Sequence, residues 1–440
     1  MALFYSEKSA KKATQPTACK HTFLIQDLDY QGLGVAKLNG KTWFVENALP
    51  NEQVEAKVLE EKRQYGRAQA VRWLTKSAQR QTPSCPLYSQ CGGCQMQHIP
   101  LELQRETKQK TLFQRLQKLQ HEAIQFQPML ASQGTGYRRR AKLSMALQKN
   151  QLVMGFRQAN SDTIIPLHQC EVLEAELAKL LPELQHLLAS WHSPKKLGHI
   201  ELVRADNGVA LLIRHLGELH PQDKARLLQF AEQHTLLLFV MLNKTEIEQW
   251  RGETPYYQID DLTLRFSIRD FIQINAQLNQ HMVHTAIDWL DLHAQDRVLD
   301  LFCGMGNFTL PIAKRVQHVV GIEGVEPMVE QARLNAEMNQ LTHAEFYQTD
   351  LDQPFVDQPW ATQPFNKVLL DPARNGAYFA LDHLCQLSPE RIVYVSCNPA
   401  TLVRDAEKLI AQGYKIEKCA MIDMFPHTAH LESISLFIKQ

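Results

Sequence analysis

"VLDLFCGMGNFTLPIAKR", residues 298–315, runs from an apolar strand through a glycine loop into the start of a helix. Gly304 and Gly306 let the loop backbone approach a ligand lying over the strand's C-terminal end. A dinucleotide fingerprint requires a third glycine where Thr309 stands, and the loop has no Lys-Ser/Thr pair for nucleotide phosphates. The next strand ends at Glu323, 19 residues after Gly304, where a carboxylate can accept hydrogen bonds from ribose hydroxyls. A phosphate-poor loop with a ribose-binding acid fits S-adenosylmethionine better than NAD. A purely structural turn is the bland alternative.

Working outward, "RVLDLF", "HVVGIE", "KVLLD" and "RIVYVS" are short apolar strands separated by helical segments. This alternation predicts a parallel, doubly wound α/β sheet of Rossmann-like type over residues 265–440. "LLDPARNGA" (369–377) sets Asp371 and Arg374 just past the third of these strands. "YVSCNPATLVRD" (394–405) sets Cys397 at the end of the fourth, running into an Asn-Pro turn, and "DMFPHTAHLESISLF" (423–437) places Glu432 before an apolar closing strand. Taken singly, Cys397 reads as a buried structural thiol and Glu432 as a surface carboxylate.

The front of the chain has a different texture. Residues 1–14 read as a polar tail, and 15–77 as four or five short strands turning at Gly32–Gly34, Asn39-Gly40 and Pro50-Asn51, closed into a small, OB-like β-barrel. Residues 78–264 hold a cysteine-rich stretch, a polar helix over 101–119, hairpins at 141–157 and 199–215, and helical stretches near 171–189 and 221–234. The expectation there is an α+β central domain. The net charge is zero, yet residues 61–142 contain 15 Lys and Arg against four Glu and no Asp. Such a block suits a polyanion such as nucleic acid, or is simply a solvated basic surface. No apolar run of 18 residues occurs and the N-terminus has no leader-like stretch, so the expected compartment is the cytoplasm.

The residues at the strand ends suit one reaction. Carbon 5 of uracil is too weak a nucleophile to take a methyl group until a thiolate adds at carbon 6 and turns the ring into an enolate. A base must then remove the carbon-5 proton so that the thiolate can leave. A free thiol has a pKa of about 8.5, so the site needs surroundings that favour thiolate.

These motifs, with "FIQIN" (271–275) and "GIEGVEPMVEQARLNA" (321–336), resemble those of the bacterial RNA uracil-C5 methyltransferases over nearly the whole chain. The resemblance implies Cys397 as nucleophile and Glu432 as proton-abstracting base. It also implies Gln273, Phe302, Asn307, Glu323, Asp350 and Asp371 as contacts of S-adenosylmethionine. "GLGVAKLNGKTWFVENALPNEQVEAKV" (32–58) is similar to the TRAM domain, an RNA-binding barrel. Possession of both barrel and cysteine cluster resembles the 23S ribosomal RNA members that methylate the uridine conventionally numbered 1939. The implied partner is therefore 23S ribosomal RNA with its target uridine flipped out of the stack, met by a monomer with no membrane or DNA partner.

"CPLYSQCGGCQMQ" (85–97) clusters Cys85, Cys91 and Cys94. Alone they suggest a metal site of undefined type, with zinc and His98 as one completion. The resemblance instead implies Cys170 as fourth ligand and a [4Fe–4S] cluster, structural in role because methyl transfer moves no electron. Cys19, Cys303, Cys385 and Cys419 remain ordinary thiols. A radical enzyme would want Cys-x3-Cys-x2-Cys, and here the first gap is five residues. Two other readings stand beside this one: a uracil-C5 methyltransferase acting on another 23S site or on transfer RNA, and a non-enzymatic RNA-binding protein with a structural metal.

Overall fold

The computed structural model describes residues 19–440 apart from residues 150 and 160. They divide into two compact units. The first contains the described residues up to Pro86, together with Cys94–Gln114 and His427–His430. The second contains Leu87–Gly93, Arg115–Pro426 and Leu431–Gln440.

In the first unit six strands form one sheet: β1 (Lys20–Leu24), β2 (Asp27–Leu28), β3 (Gly34–Leu38), β4 (Lys41–Glu46), β5 (Gln53–Glu61) and β6 (Tyr65–Thr75), in the order β1-β5-β6-β4-β3-β2. Contact between β1 and β3 curls it into a small barrel. Asn39 and Gly40 both take positive φ (52° and 76°) in the two-residue turn of the β3–β4 hairpin, as an Asn-Gly pair favours. Phe23, Trp43, Val45, Val54 and Ala68 fill the interior. Gly66 lies against the Trp43 ring, where a Cβ would stand 2.4 Å from the indole, so only glycine fits. Helix α1 (Leu101–Gln117) begins in this unit. Its buried Gln104 donates to the carbonyls of Met96 and Ile99 at 3.0 and 2.8 Å and accepts the His427 N–H at 3.0 Å.

The second unit holds two large sheets. The central one contains β8 (Arg140–Gln148), β9 (Gln151–Arg157), β10 (Ile164–Pro166), β11 (Leu197–Ala205), β12 (Gly208–His215), β13 (Leu237–Met241) and β14 (Glu248–Arg251), ordered β10-β9-β8-β11-β12-β13-β14. The one parallel pair, β12–β13, is joined through α3 (Pro221–Gln233). Leu211, Ile213, Leu238 and Val240 pack toward α2 (Ala175–Leu188) and α3, while Ala210, Leu212, Phe239 and Met241 join the core of the catalytic sheet. Burial on both faces explains why "VALLI" and "LLFVM" are continuous apolar runs rather than alternating ones.

The catalytic sheet has the order β19-β18-β17-β20-β21-β23-β22-β7. Its strands are β7 (Gln125–Phe126), β17 (Arg297–Leu301), β18 (His318–Glu323), β19 (Ala344–Gln348), β20 (Lys367–Leu370), β21 (Arg391–Ser396), β22 (Tyr414–Ile422) and β23 (Glu432–Lys439). A hairpin of β15 (Tyr256–Ile259) and β16 (Leu262–Arg265) adds side chains to the same core, as do helices α4 (Ala276–Leu290) and α6 (Glu326–Met338). The short helix α5 (Thr309–Ala313) follows the glycine loop, and α7 (Tyr378–Leu387) and α8 (Pro399–Ala411) flank β21. Strands β17 to β21 are mutually parallel, and β23 is antiparallel to both β21 and β22. From β17 the chain builds outward through β18 and β19, then returns to the other side of β17 for β20. That reversal opens a crevice at the strands' C-terminal ends, between β17 and β20.

Candidate active site

Five successive parallel strands each deliver one of the sequence-predicted residues to this end of the sheet. Phe302 follows β17, Glu323 ends β18, Asp350 lies just beyond β19, Asp371 follows β20 and Cys397 follows β21. The sixth contribution comes from the antiparallel strand. Ser396 is paired with Ser433, so the ladder carried one step further sets Cys397 across from Glu432. Sheet register thus brings together two groups that lie 35 residues apart in sequence.

The glycine loop is tightly made. Phe302 takes φ +65°, a conformation unfavourable for an aromatic residue and held here by its surroundings. Gly304 and Gly306 also have positive φ (57° and 98°). The Glu323 carboxylate accepts the N–H groups of Gly304 and Val325 at 3.2 and 3.1 Å, which fixes its direction and leaves further lone pairs for hydroxyl donors. Asn307 exchanges hydrogen bonds with Asn279 of α4 at 2.9 and 3.0 Å and accepts from the Tyr257 hydroxyl at 2.9 Å. Gln273 is buried, and its Oε1 has no hydrogen-bond partner among the described residues. A buried acceptor of this kind is costly unless something donates to it, so it fits a bound polar ligand. Asp350 is exposed and accepts the N–H of Asp352 at 3.0 Å.

Around Cys397 the charges are arranged unevenly. Burial pushes its thiol up to about 11; the charges of Glu432 and Asp371 add to this and Arg374 opposes them. Burial likewise raises Glu432 to about 8, again with Asp371 adding and Arg374 opposing, and raises Asp371 to about 7. At neutral pH the resting site therefore holds a thiol rather than the thiolate that addition requires. Arg374 and the N-terminus of α8, two residues past Cys397, are the elements that favour the anion.

The loop carrying Arg374 is braced from α8. Asn398 caps the helix by accepting the Ala400 N–H at 3.0 Å and donates to the Arg374 carbonyl at 3.1 Å. Thr401 donates to the same carbonyl at 3.2 Å. Buried Asp405 accepts from the Ala377 N–H and the Tyr394 hydroxyl, both at 2.7 Å. Gly376 has φ +74° and a Cβ there would stand 2.4 Å from Asp405, so the glycine of "RNG" is a steric requirement. Asp405, Tyr394, Asn279 and Tyr257 went unmarked in the sequence because their partners lie 11 to 50 residues away. Arg139 is a further such residue. It is 2% exposed, donates from Nε to the Gln273 carbonyl at 2.6 Å and from its backbone to Ile274 at 2.9 Å, and stacks 4.7 Å over the Tyr257 ring. It therefore grips the segment carrying Gln273 and, through Tyr257, the residue holding Asn307.

Comparison with known proteins matches this arrangement. A family model described as tRNA (Uracil-5-)-methyltransferase covers residues 101–352 and 357–440, and a TRAM domain model covers 22–71. The chain belongs to the RNA uracil-C5 methyltransferase family. Among curated relatives, a 23S rRNA (uracil(1939)-C(5))-methyltransferase RlmD of Haemophilus ducreyi is 62% identical over the whole of both chains. Proteins of the same name from Haemophilus influenzae and Erwinia tasmaniensis are 58% and 48% identical, over 99% and 100% of both chains. The crystal structure of the Pyrococcus abyssi tRNA (uracil-54, C5)-methyltransferase with S-adenosyl-L-homocysteine aligns with a TM-score of 0.73 at 24% identity, over 95% of this chain and all of that one, and shares its fold. S-adenosylmethionine is the methyl donor in this family, and the strand-end crevice is where the chain's own residues suit it.

The cysteine segment is a different case. Cys91 forms an isolated bridge with Gln158 and its sulfur accepts the Gly93 N–H at 3.4 Å. The Cys85 N–H donates to Gln97 Oε1 at 3.3 Å. Cys170 is half-buried against the core of the central sheet, and His98 is wholly buried within the first unit. Among the described residues no group of three or more His, Cys, Asp and Glu side chains is arranged to hold a metal ion. The thiol set suits an iron–sulfur cluster in donor chemistry. Among the described residues no helix is long and apolar enough to cross a membrane.

Proposed function

We propose that this chain methylates carbon 5 of uridine 1939 in 23S ribosomal RNA, acting in the cytoplasm as a monomer. The observation that carries the chemistry is the β21–β23 register, which sets a thiol and a carboxyl facing one another at the open end of the sheet. Full-length identity of up to 62% to enzymes named for that uridine supports the substrate. Cys397 adds to carbon 6 of the flipped-out base, and Arg374 offsets the anionic surroundings as its thiolate forms. Bound S-adenosylmethionine, held by Gln273, Phe302, Asn307, Glu323, Asp350 and Asp371, supplies the methyl group. Glu432, its proton affinity raised by burial, takes the carbon-5 proton, after which the Cys397 sulfur leaves. Phe271, two residues before Gln273 and 67% exposed, offers a ring on which an unstacked base can rest.

The finer reading of the cysteines is that Cys85, Cys91, Cys94 and Cys170 hold a [4Fe–4S] cluster of structural role. Their chemistry supports it, and the Gly93 N–H donated to the Cys91 sulfur is the kind of bond that stabilises a thiolate ligand. Nucleoside mass spectrometry mapped along 23S RNA from cells lacking the gene tests the substrate. Loss of 5-methyluridine at 1939 is expected, and an unchanged level there overturns the assignment.

A further inference from the structure

The sequence "RRRAK" at 138–142 alternates as a strand does. Arg139 and Ala141 are buried, whereas Arg138, Arg140 and Lys142 line one side of an open cleft of about 350 Å³, which Arg269, Glu201 and Ile274 complete. Four cations therefore meet one carboxylate. That carboxylate is already committed: Glu201, opposite Lys142 in the β8–β11 ladder, accepts from Arg140 at 2.9 Å and His199 at 3.1 Å and lies 3.4 Å from the Lys142 ammonium. Arg138 uses only Nε, on the Arg140 carbonyl at 3.2 Å, and its terminal nitrogens have no partner among the described residues. Arg269 is exposed and makes no hydrogen bond or ion pair among them.

The cleft is tied to the cofactor crevice by a single piece of chain. Arg140 donates to the carbonyls of Ile268 and Asp270, and the same segment carries Arg269 into the cleft, Phe271 into solvent, the buried Gln273 and, at the cleft wall, Ile274. A cationic cleft of this shape on one side of a short loop, with an exposed aromatic ring on the same loop, is complementary to a nucleotide strand. We infer that the cleft of Arg138, Arg140, Lys142 and Arg269 grips backbone phosphates of the RNA next to the target uridine, so that Arg138 and Arg269 act as phosphate ligands while Glu201 holds Arg140 and Lys142 in place. This deepens the proposed function and rests on it for the identity of the RNA. Fork-shaped guanidinium groups suit phosphate oxygens, and the sequence independence of such contacts leaves base choice to the crevice.

The test is binding of a 23S RNA fragment containing the target uridine to the full-length protein, measured across salt concentrations. For wild type, affinity falls linearly on a log–log plot. In the Arg138→Gln/Arg269→Ala double variant the slope should become shallower by roughly 1.4 to 2, about 0.7 to 1 per lost phosphate contact. KM for RNA should rise roughly tenfold or more at moderate salt, with the dissociation constant for S-adenosylmethionine unchanged. Arg138→Gln should lower the slope by about half as much, and Lys179→Ala on the exposed side of α2 should leave it as in wild type. An unaltered slope and KM in the double variant overturn the inference. Binding needs no turnover, so that result is separable from the failure of the functional reading, which would show as wild-type protein that binds the fragment and does not methylate it.

Discussion

Cys397 stands at the end of a strand whose ladder with its neighbour also delivers Glu432, whereas Cys85, Cys94 and Cys170 stand in loops and Cys91 has one isolated bridge. The backbone assembles the first site before any ligand arrives: strand register, the Asn398 cap and the Asp405 bonds together fix the loop and the thiol. In the second set Cys91 has only its isolated bridge with Gln158 among the described strands, and a bound metal centre would make ligand binding and local folding one event. A preorganised site should lose chemistry on mutation and keep its fold. A ligand-organised one should lose its fold locally and affect chemistry only through it.

The largest contrast is expected at the nucleophile. Cys397→Ala should lower methylation on the order of 10^4-fold or more, while RNA affinity, iron content and melting temperature stay near wild type. Single-turnover transfer of labelled methyl to the RNA fragment measures it, and residual turnover within tenfold of wild type would remove Cys397 from its role. Next comes Glu432→Gln, which should slow turnover roughly 10^2- to 10^4-fold yet still permit carbon-6 addition. The RNA should then migrate with the protein on a denaturing gel. A variant with normal turnover and no retained adduct would show that another group takes the proton.

The cysteine set breaks the comparison in the other direction. Cys91→Ser should abolish bound iron and sulfide in anaerobically prepared protein and lower the melting temperature by several degrees, with methylation reduced in proportion to the folded fraction. Cys19→Ser, at an exposed position in the first unit, should change neither. Wild-type protein that is colourless, iron-free and zinc-loaded would dismiss the cluster and return the choice to a zinc site.

The asymmetry bears on what could be read from residues alone. Strands β17, β18, β20 and β21 announce themselves as apolar runs because helices cover both faces. Strand β19, "AEFYQ", is a sheet edge with alternating burial, and β7 is a two-residue strand paired with β22 nearly 300 residues on; neither gives a local signal. Glu323, Asp371 and Cys397 were legible because each ends or follows a recognisable strand, whereas Gln273, Phe302, Asn307 and Asp350 came from the family resemblance alone. The residues that hold them were not legible. Arg139, Asn279, Tyr257, Tyr394 and Asp405 act through bonds across the sheet, and a lone Arg in "RRR" looks like surface charge until the fold buries it. The thiol environment was also hidden, since the shift in Cys397 comes from burial and from two carboxyl groups that reach it only through the fold.

The smallest effect concerns stability and follows from the cost of preorganisation. Glu432 has an ordinary carboxyl value of 4.5 in the unfolded chain and about 8 in the folded one, raised by burial first and by Asp371 second. Below pH 4.5 both states are protonated and the group favours neither. Between 4.5 and about 8 the unfolded chain ionises while the folded one does not, so stability is lost progressively as pH rises and stays lost above. Glutamine does not titrate. The melting temperature of Glu432→Gln relative to wild type should therefore be level near pH 4, climb by several degrees between pH 5 and 8, and flatten beyond. The same titration gives the sign for activity. In the proposed mechanism Glu432 acts as carboxylate, so wild-type kcat/KM should climb with pH through about 8, whereas the rate of adduct formation in Glu432→Gln should follow the thiol alone, whose value falls below that in wild type because the raising charge of Glu432 is gone. A stability difference independent of pH would mean that Glu432 is already ionised in the folded protein, and that the carbon-5 proton meets a weaker base than its burial provides.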